Sequence, residues 1–244
     1  MIDWLLGASA RRDADPSIAL GDTRLPLAIR RHPRATRLTM RLAPDGSEVR
    51  ITMPRWGRTA DAVAFAESRA DWLAGQVRAV PTASPPAPGG ALAFRGRQVQ
   101  IAWATNHRRT PQLDGDTLAV GGPPDTLQPR LRRWLEGQAL ALFADDLAFY
   151  CARAGLPLPD LRLSRATRRW GSCSGKGCIR LNWRLVQAPD AVRRSVVAHE
   201  VAHLIHFDHS PAFHARLAQI YDADLASADR WLKREGRGLY AAFG

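Results

Sequence analysis

An α+β fold is predicted by three features of the sequence. Alternating, strand-like segments crowd the first half, helical periodicities dominate the second, and a proline-rich interruption lies between two of the strand groups. Residues 24–53 carry the first alternation. Arg37-Leu38-Thr39-Met40-Arg41-Leu42 alternates, Pro44-Asp45-Gly46 turns, and Val49-Arg50-Ile51-Thr52-Met53 alternates again, which predicts a hairpin. Residues 59–79 predict a helix: Val63, Phe65, Ala66, Ala70, Leu73 and Val77 approximate a 3.6-residue period, and Thr59 can cap its start. Residues 81–90, Pro-Thr-Ala-Ser-Pro-Pro-Ala-Pro-Gly-Gly, continue neither a helix nor a central strand. A second strand group includes residues 99–103 and, after Asp114-Gly115, residues 117–120. A long helix is expected over 129–154 with Gly155 as its stop, extended chain over 161–186, and helices over 190–205 and 210–234. Ser210-Pro211 suits the cap and first position of the last one. The chain therefore divides into a flexible leader at 1–21, a β-rich region at 22–128 with one helix and the proline-rich loop, and a largely helical region at 129–244. No internal repeat is evident in the sequence.

With 244 residues the chain can bury a core without staples. Its formal net charge is +12, and only Lys176 and Lys233 are lysines, so arginine carries the excess. Such an excess reads either as attraction to an anionic partner such as nucleic acid or as a general preference for arginine, since the arginines are spread along the chain. Cys151, Cys173 and Cys178 are too few for a disulfide framework and lack the second pair of a zinc ribbon. The apolar start is too short for a signal peptide, and no run approaches a membrane span. These features predict a cytoplasmic protein with no membrane partner.

Five of the seven histidines fall between residues 199 and 214, and within them stands His199-Glu200-Val201-Ala202-His203. On an α-helix, positions i and i+4 are separated by about 40° around the axis and roughly 6 Å along it. Two imidazoles can then reach one ion from successive turns. Glu200, one residue on, sits beside that ion, where it can take a proton from an attacking water. Ala191, Val192, Val196, Val197, Val201, Leu204 and Ile205 supply a buried helical body, with Asp190 available to cap it. Catalytic zinc takes three protein ligands and keeps one open position.

His209, six residues after His203 and past the expected helix end, is the preferred third ligand. Asp208 is an alternative, His206 lies too far along the helix axis, and His214 falls in the next helix. The spacing equals that of the metzincins, but His206 stands where those have a turn glycine, and no methionine follows the site. A distant glutamate ligand is disfavoured, because Glu235 is the only glutamate after Glu200.

Four motifs in order, Arg169-Trp170-Gly171-Ser172-Cys173-Ser174, Leu181-Asn182-Trp183-Arg184-Leu185, His199-Glu200-Val201-Ala202-His203 and His209-Ser210-Pro211-Ala212-Phe213, resemble the YgjP-type metal-dependent hydrolases. That family is zincin-like and related to the SprT-like metallopeptidases. The resemblance implies a zincin-like catalytic region at 129–244, one Zn²⁺ on His199, His203 and His209, Glu200 as the catalytic group, and a peptide or protein substrate. By analogy with zincins, residues 178–184 would line an extended substrate, and Trp170, Ser172 and Asn182 would lie near the cleft. Tyr221 and nearby arginines are candidate oxyanion donors. The bland reading makes Trp170 a core residue, Ser172 a turn residue, Cys173 an inert thiol rather than a reactive one or a metal ligand, and Arg162, Arg165, Arg168 and Arg169 a solvated face. The expected activity is zinc-dependent peptide hydrolysis. The rival readings are a nucleotide phosphoanhydride hydrolase and a nucleic-acid- or protein-binding module with a structural zinc.

Overall fold

A computed structural model describes residues 16–43, 46–78, 80 and 84–243. The fold is α+β, as the sequence predicts, in two compact units, Met1–Val80 and Pro81–Gly244. The division falls at the proline-rich segment, so the second strand group belongs with the C-terminal helices rather than with the first sheet. Residues 1–15 of the expected leader, Pro44 and Asp45 of the hairpin turn, and residues 81–83 of the proline-rich loop lie outside the described residues.

In the first unit β1 (Ser17–Leu20), β2 (Thr23–His32), β3 (Thr39–Leu42) and β4 (Val49–Pro54) form a sheet of order β1-β2-β4-β3. Residues 17–20, read from sequence as leader, are held because they pair antiparallel with residues 23–26. The expected hairpin is β3 against β4, with Met40 opposite Ile51. Leu25, Leu27, Val49, Ile51 and Met53 bury one face of this sheet against Ala62, Ala66 and Leu73 of α1 (Thr59–Glu67) and α2 (Ala70–Arg78). The single helix expected over 59–79 breaks at Ser68, whose hydroxyl donates back to the Phe65 carbonyl. Arg58 rather than Thr59 takes the cap position.

The second unit opens with β5 (Ala91–Phe94), β6 (Arg97–Trp103), β7 (Gln112–Asp114) and β8 (Thr117–Val120), of order β5-β6-β8-β7. The directions match those of the first sheet: β5/β6 and β7/β8 are antiparallel and β6/β8 is parallel. Each sheet is followed by helix, so the fold contains a topological repeat that the residues themselves do not display. α3 (Leu127–Ala154) then buries Leu131, Leu135, Ala139, Phe143, Leu147 and Tyr150, spaced by three and four residues. Gly155, at φ 66°, ends it in the left-handed conformation that glycine adopts without strain.

A three-stranded sheet of β9 (Asp160–Ser164), β10 (Gly171–Cys173) and β11 (Cys178–Asn182) follows, with β11 in the middle. A 3-10 turn at Trp183–Gln187 leads into α4 (Asp190–Ala202). The β5–β6 turn braces that entry: the N–H groups of Arg95 and Gly96 donate to the carbonyls of Val186 and Gln187 at 2.8 and 3.0 Å. Arg95 also pairs with Asp190, the first residue of α4. The last helix, expected as one, is α5 (Pro211–Ile220) and α6 (Leu225–Glu235). It breaks where Tyr221 turns extended and the Asp224 carboxylate caps α6 by accepting from the N–H groups of Ala226 and Ser227. No helix among the described residues is long and apolar enough to cross a membrane.

Candidate metal centre

α4 ends at Ala202 because the chain leaves the helix at His203, its C-cap. His199 therefore points from the last full turn and His203 from the helix end. Residues 204–209 then carry His209 back over them. The three imidazoles converge through Nε2: His203 lies 3.1 Å and His209 3.3 Å from His199. All three ligand atoms fall within 4.8 Å of one another. Tetrahedral ligation at zinc–nitrogen lengths of 2.0–2.1 Å separates ligand nitrogens by about 3.4 Å, so this donor set fits one zinc ion.

Local contacts leave these nitrogens suited to hold a metal ion. His203 Nδ1 lies 2.8 Å from the His206 carbonyl. Donation there leaves the Nε2 lone pair free. Burial, reinforced by the neighbouring charges of His203, His209 and His214, lowers the His199 pKa to about 4 and keeps that ring neutral. Beneath all three lies one buried ring. Phe213 has centroid distances of 4.9 Å to His199, 4.5 Å to His203 and 4.9 Å to His209. Ser210 sets Phe213 in place by capping α5, accepting from the Phe213 N–H at 3.4 Å, with Pro211 at the first helical position. The neighbouring candidates have other contacts. Asp208 accepts from the Ser210 N–H, and the His214 ring stands 6.4 Å from His209.

Glu200 is only 5% exposed. Burial pushes its carboxyl up to about 7, against the opposing pull of Arg169 and the backbone N–H of Cys173. Its Oε2 is buried without a hydrogen-bond partner. A bare carboxylate oxygen inside a protein is costly, and such groups gather where chemistry needs them. Gly171 makes the room: a Cβ there would come within 2.7 Å of the Glu200 Cδ.

β10 is an edge strand. Asn182 donates its N–H to the Trp170 carbonyl and Ser174 donates to that of Cys178, so residues 170, 172 and 174 bond toward β11. Gly171 and Cys173 turn their backbone groups the other way, and the Cys173 N–H meets Glu200. The expected wall at residues 178–184 begins in β11, whose two edges are already paired with β10 and β9. β10 is the outer strand beside Glu200, which takes its Cys173 N–H and leaves the outward groups of Gly171 next to it.

A cleft of about 690 Å³ opens here, bordered by Trp170, Gly171, His199 and Glu200. The other sequence candidates lie elsewhere. Ser172 alternates away from Gly171 and so projects from the opposite face of β10. Asn182 is fully buried, donating to the Ala166 carbonyl at 2.8 Å and to the Tyr240 hydroxyl at 3.3 Å while accepting from the Arg184 N–H at 3.1 Å. The Tyr221 hydroxyl donates to the Ala191 carbonyl at 2.8 Å, near the opposite end of α4 from Glu200. Arg165 pairs with Glu136, and Arg162 and Arg168 are exposed. Cys173 is half-buried, with its thiol pushed up by burial and by the Glu200 charge.

The model of the YgjP-like family, described as a metallopeptidase domain, matches residues 37–235. The chain belongs to the YgjP-like family. The matched stretch of this YgjP-like chain runs from just before β3 to the end of α6, and it includes Trp170–Cys173, α4, His209 and Phe213. Among curated proteins and among solved structures, no match to the chain was found. Sequence reasoning missed the parts played by Gly171 and Phe213. Phe213 stood within a recognised motif, but nothing in the motif says that one phenyl ring supports three imidazoles.

Proposed function

We propose that the chain is a zinc-dependent peptidase in which His199, His203 and His209 hold one ion and Glu200 is the general base. The observation that carries this reading is the convergence of three Nε2 atoms beside a buried carboxylate with one unpartnered oxygen. Zinc, when bound, supplies Lewis acidity that polarises the scissile carbonyl and makes water more acidic. Glu200 Oε2 accepts the proton of the attacking water and returns it to the departing amine nitrogen. The Cys173 N–H fixes the other side of the carboxylate, and the outward backbone of Gly171 offers an edge to an extended substrate. Phe213 and the His206 carbonyl keep the imidazoles oriented. All three cysteines are free, which supports a reducing, cytoplasmic setting.

The test is digestion of unfolded casein by zinc-loaded protein. Cleavage that stops on chelation, returns with zinc and is absent in His209→Ala is expected. Loaded protein that leaves casein intact would overturn the peptidase reading. Gly171→Ala provides a second check. Its methyl displaces Glu200, and turnover is expected to fall about 10²-fold. Metal content, measured by atomic absorption, is expected to stay at the wild-type level.

A further inference from the structure

Beyond His199 and Glu200, the cleft has an apolar wall, with Arg169, Ser195, His214 and Asp229 at its border. Val196 of α4, Leu217 of α5, Leu225 and Leu232 of α6, and Trp170 face it. Val196 and Leu217 are buried, while Trp170, Leu225 and Leu232 remain partly open. Of the polar groups at its border, the Ser195 hydroxyl donates to the Val192 carbonyl and Asp229 pairs with Lys233. The wall is continuous with His199 and Glu200 in the same cleft.

A chain laid along the outward edge of β10 brings a carbonyl to Glu200. Its side chains alternate between the two faces of the strand, so one beside that carbonyl is turned onto the wall. Pockets of this kind, apolar with few polar groups, select by shape and buried area. We propose that this wall is a specificity pocket for one large apolar side chain next to the scissile bond, so that the substrates are chains cut beside Leu, Met or Phe. The proposal rests on the peptidase reading and deepens it by naming the substrate class.

The experiment has two arms. In the first, zinc-loaded wild-type protein digests unfolded casein, and mass spectrometry maps the cuts. A large apolar residue on one flank of most cuts is expected. Cuts with no such preference would overturn the pocket and leave the peptidase reading intact.

The second arm reads binding without turnover. Zinc-loaded Glu200→Gln protein is titrated calorimetrically with two alanine-rich peptides that differ by a central Leu or Ala. The Leu peptide is expected to bind about tenfold tighter or more. Adding Leu225→Arg, at a half-open position that can take a polar group without unfolding, is expected to erase that difference. Leu232→Asp is expected to act likewise, and circular dichroism checks the fold of both. Equal affinity for the two peptides in the Glu200→Gln background would overturn the proposal. So would a dimer that dissociates on Leu225→Arg, since the wall would then belong to a second copy of the chain. If no casein is cut, the peptidase reading fails, and the calorimetric arm still decides the pocket.

Discussion

Glu200→Gln is expected to lose turnover by about 10²- to 10⁴-fold while making the metal-free protein more stable above pH 7. The first effect follows from the proton transfer assigned to Oε2, which an amide cannot perform. The second follows from burial. The carboxyl is raised from 4.5 to about 7. Below pH 4.5 it is protonated in both folded and unfolded chains and costs nothing extra. Between those values the unfolded chain releases a proton that the folded chain keeps, so wild-type stability falls as pH rises. Above pH 7 the whole cost is present, on the order of 3 kcal/mol.

The amide introduced by Glu200→Gln stays neutral at every pH and keeps an oxygen for the Cys173 N–H. The difference between variant and wild type should therefore be small at pH 4.5 and full by pH 8, read as urea midpoints of chelator-treated protein. His199 titrates in the opposite sense, since its lowered pKa withdraws stability as pH falls from 6.5 toward about 4. That term is common to both proteins and cancels in the difference. Metal-free protein is required because a dication at the imidazoles would attract the carboxylate and pull its pKa back down. A variant no more stable than wild type at pH 8 would mean that the carboxylate is not buried in solution.

The reason His199, Glu200 and His203 can be read from sequence is that helix geometry alone relates them. His209 is legible for the same kind of reason, since a six-residue return after a helix end leaves few places for the ring to go. Gly171 is different. Its part is to leave space for a carboxylate 29 residues later, and no local pattern encodes a contact between a strand and a helix. The placement of β11 between two strands is likewise a matter of pairing, so residues that alternate well enough to form a substrate wall turn out to have their backbone groups already bonded. Tyr221 and Asn182 illustrate the converse: a polar group near the site in sequence is fully bonded elsewhere in space. Helix breaks at Ser68 and Tyr221 were also hidden, because apolar periodicity continues across them while a local hydrogen bond or cap ends the helix. The α+β class survives all of this, since it needs only the kind and order of elements.

Asp146→Ala is expected to destabilise the second unit by about 3–5 kcal/mol. Asp146 sits in the C-terminal third of α3, and its carboxylate accepts from Arg193 of α4 at 2.7 Å through Nε and 3.3 Å through Nη2. The Arg193 side chain is 4% exposed and that of Asp146 9%. Removing the acid leaves the buried guanidinium, among the described residues, with its i−3 neighbour Asp190 alone, a carboxylate already shared with Arg95. Charges paired this deeply contribute less net stability than their loss suggests, because taking both from water is costly. The double change Asp146→Leu with Arg193→Met should therefore be milder than Asp146→Ala alone, and urea unfolding of the three proteins decides this.

The pair also bears on the direction of the α4 face that carries Glu200. Arg193 and Glu200 are seven residues apart, two turns, and so lie on one side of α4. Fixing Arg193 against α3 therefore fixes the rotation at which Glu200 meets Gly171 and His199 meets its partners. The double variant is expected to fold, and to bind zinc more weakly than wild type despite intact ligands. Wild-type zinc affinity in that variant would show that α4 is held by its apolar contacts alone, with Val197, Ala198 and Val201 sufficient to orient it.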